Sequence, residues 1–223
     1  MRKALMVTVE VDPACVESRL AGGELSCPSC PDGVLAGWGF ARSRRVVGLV
    51  DPVRPRRSRC RGCAATHVLL PVSLLLRRAY TAEVIWAALE AKAAGVGHRV
   101  IASRAGIAGC TVRRWLAVMG GRVEAVRGWF LGVAVAVGVD VLIPPATGTP
   151  VGDALAAVGA ARAAIVSRFA AGAVVGSVTA VAVAVACSGG RLLSPGWPAE
   201  PGWVGPTPVA SAAGGGDGSS SRG

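Results

Sequence analysis

The spacing of apolar and polar residues changes character along the chain and predicts different elements in turn. Residues 5 to 11 alternate loosely in a β-prone stretch that ends at Asp12-Pro13, which predicts an opening strand. From Ser26 to Thr66 no helical period is sustained, and Gly, Pro, Arg and Cys dominate. Such a segment reads as a small β domain without a large apolar core. About 40 residues bury too little surface to offset their conformational entropy, so the segment needs a staple. Residues 67 to 76 form an apolar connector interrupted by Pro71 and followed by Arg77-Arg78. From Thr81 the period turns helical: Thr81 can cap, Glu83 suits a first turn, and Val84, Ile85, Ala88 and Leu89 share a face until Gly95 and Gly97. Further helices are predicted from about His98 to Ala105, from Gly109 to Met119, and from Val123 to Val139. Pro144-Pro145, Gly148 and Pro150 make a break, and an Ala, Val and Gly stretch of helical type runs from Asp153 to about Ala186. From Gly189 the chain reads as a tail whose last part, Ala213 to Gly223, is rich in Gly and Ser.

Two Cys-x-x-Cys knuckles supply the missing staple. Cys27-Pro-Ser-Cys30 and Cys60-Arg-Gly-Cys63 are separated by 29 residues. A two-residue spacer lets both thiolates of one turn face the same ion, and a second turn completes a tetrahedron of soft ligands. The wide interval implies a longer β-hairpin or an inserted loop, with Val34 to Trp38 and Arg54 to Arg61 as material for strands and loop. Arg59 and Arg61 are placed to help hold the thiolates deprotonated. A redox motif would stand alone in a βαβ setting, and neither condition is met. With cysteine at all four positions the site is closed to substrate and water, so structural zinc is expected. His67 is an alternative ligand close to the second knuckle, whereas Cys15, Cys110 and Cys187 read as small buried residues.

Charge separates the front of the chain from the rest. Of 24 Lys and Arg residues, 20 precede Leu131, with 9 of the 13 carboxylates, so the net charge of +11 resides there. A basic block beside a neutral one points to an acidic polymer as partner, of which the phosphate backbone is the commonest. The Ala, Gly, Arg and Val bias reads as that of a high-GC genome. The apolar start is cut short by Glu10 and Asp12, which is not the pattern of a signal peptide, so a reducing, cytoplasmic setting is expected.

The segment from His98 to Leu116 resembles the homeodomain-like helix-turn-helix of bacterial regulators and transposases, with Ala102, Gly106, Ile107, Val112 and Trp115 at the motif's positions. Independently of the resemblance, Gly106 supplies a permissive turn, and Ile101, Ala105, Ile107, Val112, Trp115 and Leu116 would close a three-helix core. Gly109, Cys110, Arg113, Arg114 and Ala117 are left outside. In this geometry the N-terminal half of the third helix enters the major groove. Arg113 and Arg114 are therefore expected to contact bases or phosphates, with Thr111, Arg104 and Arg99 as phosphate partners.

Residues 26 to 120 together look like the zinc ribbon plus helix-turn-helix at the front of certain bacterial insertion-sequence transposases, and like a family of short bacterial proteins built from the same pair. The interval between knuckles departs from the short form. The resemblance implies recognition of a DNA end or operator, and not transposition chemistry. Beyond residue 130 only Asp140, Asp153, Glu200 and Asp217 remain, too few and too scattered for a nuclease triad, so no enzyme is expected.

The expected fold is thus α+β and multi-module: an N-terminal strand region (1–25), a zinc ribbon held by Cys27, Cys30, Cys60 and Cys63 (26–70), a helix-turn-helix (77–121), an Ala/Val-rich helical region (122–190) and a disordered tail (191–223). The expected function is zinc-stabilised binding of double-stranded DNA, as a regulator or mobile-element accessory protein, with a homodimer suited to paired half-sites. Two alternatives stand beside it: a zinc-ribbon module that binds protein, and a membrane-tethered DNA binder. The uncharged run 169–190 has the length to span a bilayer, but it is poor in Leu and Ile.

Overall fold

The computed structural model describes residues 6–138, 141–169 and 178–198. Among them are a four-stranded mixed sheet and seven helices, an architecture compatible with the α+β class. The elements run β1 (Met6–Val9), α1 (Pro13–Ala21), β2 (Leu35–Phe40), β3 (Arg56–Cys60), β4 (Thr66–Pro71), α2 (Ala82–Ala93), α3 (His98–Ala105), α4 (Gly109–Gly120), α5 (Val123–Val137), α6 (Pro150–Phe169) and α7 (Ala180–Cys187).

The sheet has the order β1-β4-β3-β2, with β1 parallel to β4 and the other pairs antiparallel. The expected opening strand is present and joins the same sheet as the second knuckle. Asp12-Pro13, read as a strand end, also starts a helix. The Asp12 carboxylate accepts from the Ala14 N–H at 2.9 Å and Pro13 occupies the first turn, where no N–H is needed. Val16 and Leu20, one turn apart, bury against Val9, Leu35 and Leu69 to form the smaller core. The apolar connector is corrected: residues 66–71 are β4, hydrogen-bonded on both sides, and Pro71 is tolerated because it stands at the strand's end.

The 29-residue interval between knuckles is folded as a long hairpin. Beyond the β2–β3 ladder it continues through reciprocal hydrogen bonds of 2.9 Å between Arg44 and Val53. Its far end rests on the start of α2: the Val47 N–H donates to Ala79 O at 2.8 Å and the Thr81 N–H donates to Val47 O at 3.0 Å. Gly48, at φ +100°, passes so close that a Cβ there would lie 2.8 Å from Thr81 Oγ1.

The helices follow their sequence punctuation closely. Thr81 Oγ1 accepts from the Val84 N–H and caps α2. Gly106 ends α3 in the left-handed region at φ +63°, where its N–H reaches back to the last carbonyls. Ile85, Leu89, Ile101, Ile107, Val112 and Trp115 are buried between α2, α3 and α4, whereas Ala105 is exposed and Leu116 only half-buried. Trp86 and Trp115 are core residues, the latter edge-on to Tyr80 at 5.0 Å.

That core does not stop at α4. It continues through Phe130 and Ala134 of α5, Ala154, Ala157 and Ala161 of α6, and Val183 to Val185 of α7. The small side chains of α6 allow α5 to approach closely. Residues 191–198, expected to belong to a disordered tail, are instead packed: Leu192, Leu193 and Trp197 are buried. Arg122 donates to Trp197 O at 2.9 Å and to Ser194 O, and Arg78 donates to Leu193 O. Three large apolar side chains among small and polar neighbours are enough to dock the segment once arginines satisfy its carbonyls. The remainder of the expected tail, and residues 170–177 of the uncharged run, lie outside the described residues. One described helix, α6, is long and apolar enough to cross a membrane by length and composition, with a mean hydropathy of 1.2.

Candidate metal centre and basic helix surface

The turn before β2 carries the first knuckle and the turn between β3 and β4 the second. The Cys27 N–H donates to Gly33 O at 2.6 Å, and the Cys60 N–H donates to Ala65 O at 2.9 Å, so each knuckle is pinned by its own backbone. The four sulfurs lie within 4.8 Å of one another, with Cys27 to Cys63 at 3.8 Å and Cys30 to Cys60 at 3.6 Å. A tetrahedron with metal–sulfur bonds of about 2.3 Å has sulfur–sulfur edges of about 3.8 Å. The cluster therefore has the size of a four-thiolate metal site. Cys27 and Cys60 are buried and the other two are half-buried.

Backbone amides prepare the sulfurs. The Ser29 N–H points at Cys27 Sγ (3.3 Å) and the Cys63 N–H at Cys60 Sγ (3.4 Å). The amides of Cys63 and Gly62 bring the Cys60 thiol down to about 6 despite some loss of solvation. The hydrogen bond shared with Cys60 pushes Cys30 up to about 12, and burial raises Cys27. A divalent cation would take the place of the protons these thiols share. The lowering at Cys60 owes its largest part to amides and not to neighbouring arginines, contrary to expectation. Arg59 lies over the Trp38 ring and donates to Ala64 O.

Two residues of the centre escaped sequence reasoning or changed role. Gly33 passes over the cluster, where a Cβ would press on Cys30 Sγ and lie 2.6 Å from Cys60 Sγ. His67, the alternative ligand, is buried on β4 with Nε2 at 3.5 Å from Cys27 Sγ. It is not one of the four residues whose ligand atoms lie within 4.8 Å of one another. Cys15 and Cys110, expected to be buried, are exposed, and Cys187 is half-buried; none of the three belongs to the cluster.

The second candidate surface is the outer side of α3 and α4. Arg99, Arg104, Arg113 and Arg114 are exposed and Thr111 is half-buried, while Val112, Trp115 and Met119 turn inward. Arg114 also lines a cavity of about 300 Å³ with Arg77, Arg78 and Arg122, and no carboxylate is among the lining residues. Burial and the charge of Arg114 both disfavour the cationic form of Arg78. This grouping is not legible in the sequence, because its members come from before α2, from α4 and from after it. No family model, no curated protein and no solved structure matches the chain.

Proposed function

We propose that the protein is a zinc-stabilised DNA-binding protein, in which the four-cysteine sheet is a zinc ribbon and α2, α3 and α4 form a helix-turn-helix that reads duplex DNA. The observation that carries the reading is the outward face of α4, where Arg113 and Arg114 are exposed and make no ion pair among the described residues, with Arg114 beside Arg77, Arg78 and Arg122. Arginine on an outward helix face suits both guanine edges and phosphates, and a cluster of guanidinium groups without a carboxylate suits a phosphodiester. Arg99, Arg104 and Thr111 are the remaining phosphate contacts. The ion holds the sheet; it takes no part in chemistry, because a site closed by four thiolates offers no open position. A cytoplasmic setting and a role as regulator or mobile-element accessory protein belong to the same proposal.

The test is a salt-titrated binding assay with the full zinc-loaded chain and a 30-base-pair duplex. Arg113→Ala with Arg114→Ala is expected to weaken binding at least ten-fold and to flatten the dependence of log K on log salt by about two. Equal binding by the double variant, with unchanged helical content, would sink the helix-turn-helix reading.

A further inference from the structure

We infer that the edge of the metal-bearing sheet is a second nucleic-acid site, one that takes single-stranded DNA by stacking bases on Trp38 and Phe40 between arginines. Between Arg42 and Arg61 the chain carries eight arginines and one carboxylate, Asp51. Only Arg56 of these eight makes an ion pair among the described residues, with Glu17 at 2.6 Å. Glu10, Glu17 and Asp51 line the depression beside Phe40, Arg54 and Arg56 and offset part of this charge; the other seven arginines make no ion pair among the described residues, and a polyanion would supply the counter-charge.

Aromatic rings distinguish this surface from a merely soluble one. Trp38 and Phe40 are 51% and 49% exposed on β2, the strand at the sheet's open edge. Glycines stand at 37 and 39, so no neighbouring side chain on the strand screens the indole. The ladder slips between Gly37 and Phe40, which pairs Phe40 with Arg56, while Trp38 lies against Arg59. The two rings therefore flank the edge. Arg59 sits 4.7 Å from the Trp38 centroid, and Arg54 and Arg56 sit 5.1 and 4.8 Å from that of Phe40. Guanidinium groups held within about 5 Å of ring centroids are pre-ordered for phosphates beside stacked bases.

Single-stranded DNA is the occupant this chemistry favours. Bases of a duplex stack on one another and present only their edges, whereas an unpaired base offers a face to an indole. The inference rests on the DNA-binding reading for its choice of nucleic acid, but its residues lie on the sheet and not on α4. The protein would thus hold a duplex and an adjoining unpaired strand at separate surfaces.

The experiment uses the full zinc-loaded chain with a 20-nucleotide oligo(dT), its oligo(rU) counterpart and a blunt duplex of the same length. Oligo(dT) is expected to quench part of the tryptophan emission. Trp38→Phe should lose that quench while anisotropy of labelled oligo(dT) shows nearly unchanged affinity. Arg54→Gln with Arg59→Gln should weaken oligo(dT) binding about ten-fold and reduce the salt slope by about one to two, with cobalt(II) binding unaltered as the sign of an intact cage. Arg113→Ala with Arg114→Ala should leave oligo(dT) binding within two-fold while duplex binding falls, which separates the two surfaces. Persistence of the quench in Trp38→Phe, unaltered affinity in the Gln variant, or tighter binding of oligo(rU) or of the duplex at this surface would each overturn the inference. If duplex binding ignored the α4 substitutions, the helix reading would fail while the oligo(dT) result stood on its own.

Discussion

The smallest residue at the four-cysteine cluster imposes its tightest constraint. Gly33 passes the Cys30 and Cys60 sulfurs at a distance that a methyl group cannot share. Gly33→Ala is expected to abolish stoichiometric metal uptake, measured by the thiolate absorption of bound cobalt(II), whereas Ser29→Ala, which keeps the backbone N–H that points at Cys27 Sγ, should bind normally. Retention of tetrahedral cobalt spectra by Gly33→Ala would contradict the geometry. In the helices, Trp115 is 2% exposed and packs on Tyr80. Trp115→Ala should cost about 3–5 kcal/mol in chemical denaturation, the usual range for an emptied aromatic site. The four cysteines were legible because their spacing is itself a chemical statement. Gly33 was not, since a residue without a side chain carries no label of what it passes. Arg77, Arg78 and Arg122 were not either, because only the packing of α4 against its flanking segments brings them to one cavity.

At the level of elements, punctuation was easier to read than pairing. Thr81 and Gly106 marked the start of α2 and the end of α3 because caps and left-handed turns are local chemistry. The start of α1 was passed over, since Asp-Pro ends a strand as readily as it begins a helix. Asp12→Ala should therefore destabilise the sheet by about 1 kcal/mol through loss of the cap, read as a shift in denaturation midpoint at constant slope. The position of β4 between two strands was invisible for another reason: a strand's neighbours are set by long-range packing and not by its own residues. Removing the ion with a chelator is expected to raise amide exchange across β2 and β3, whose turns the cage ties, while α5 and α6 keep their protection. Uniform loss of protection in both regions would show that sheet and helices unfold as one unit.

For the whole molecule, the decisive fact is the single larger core that runs from Leu75 to Trp197. The α2 to α4 group shares it with α5, α6, α7 and the packed segment after α7, so a cut after α4 would expose Phe130 and the small-residue seam of α6. Leu193, at 1% exposure, belongs to that segment. Leu193→Ala should lower stability by about 2–5 kcal/mol in the full chain, and a melting temperature equal to that of the parent would show that the segment is not part of the core. Its docking was not legible, because two leucines and a tryptophan among Gly, Ser and Pro give no period to follow. The hairpin that fills the gap between the knuckles has one more consequence. Its tip is hydrogen-bonded to the backbone that opens α2, so it works as a strut from the four-cysteine cluster to the helices. Cation supply then acts as a dial on the first turn of α2 as well as on the sheet: a free ion at a hundred times its dissociation constant adds about 2.7 kcal/mol to whatever the strut joins.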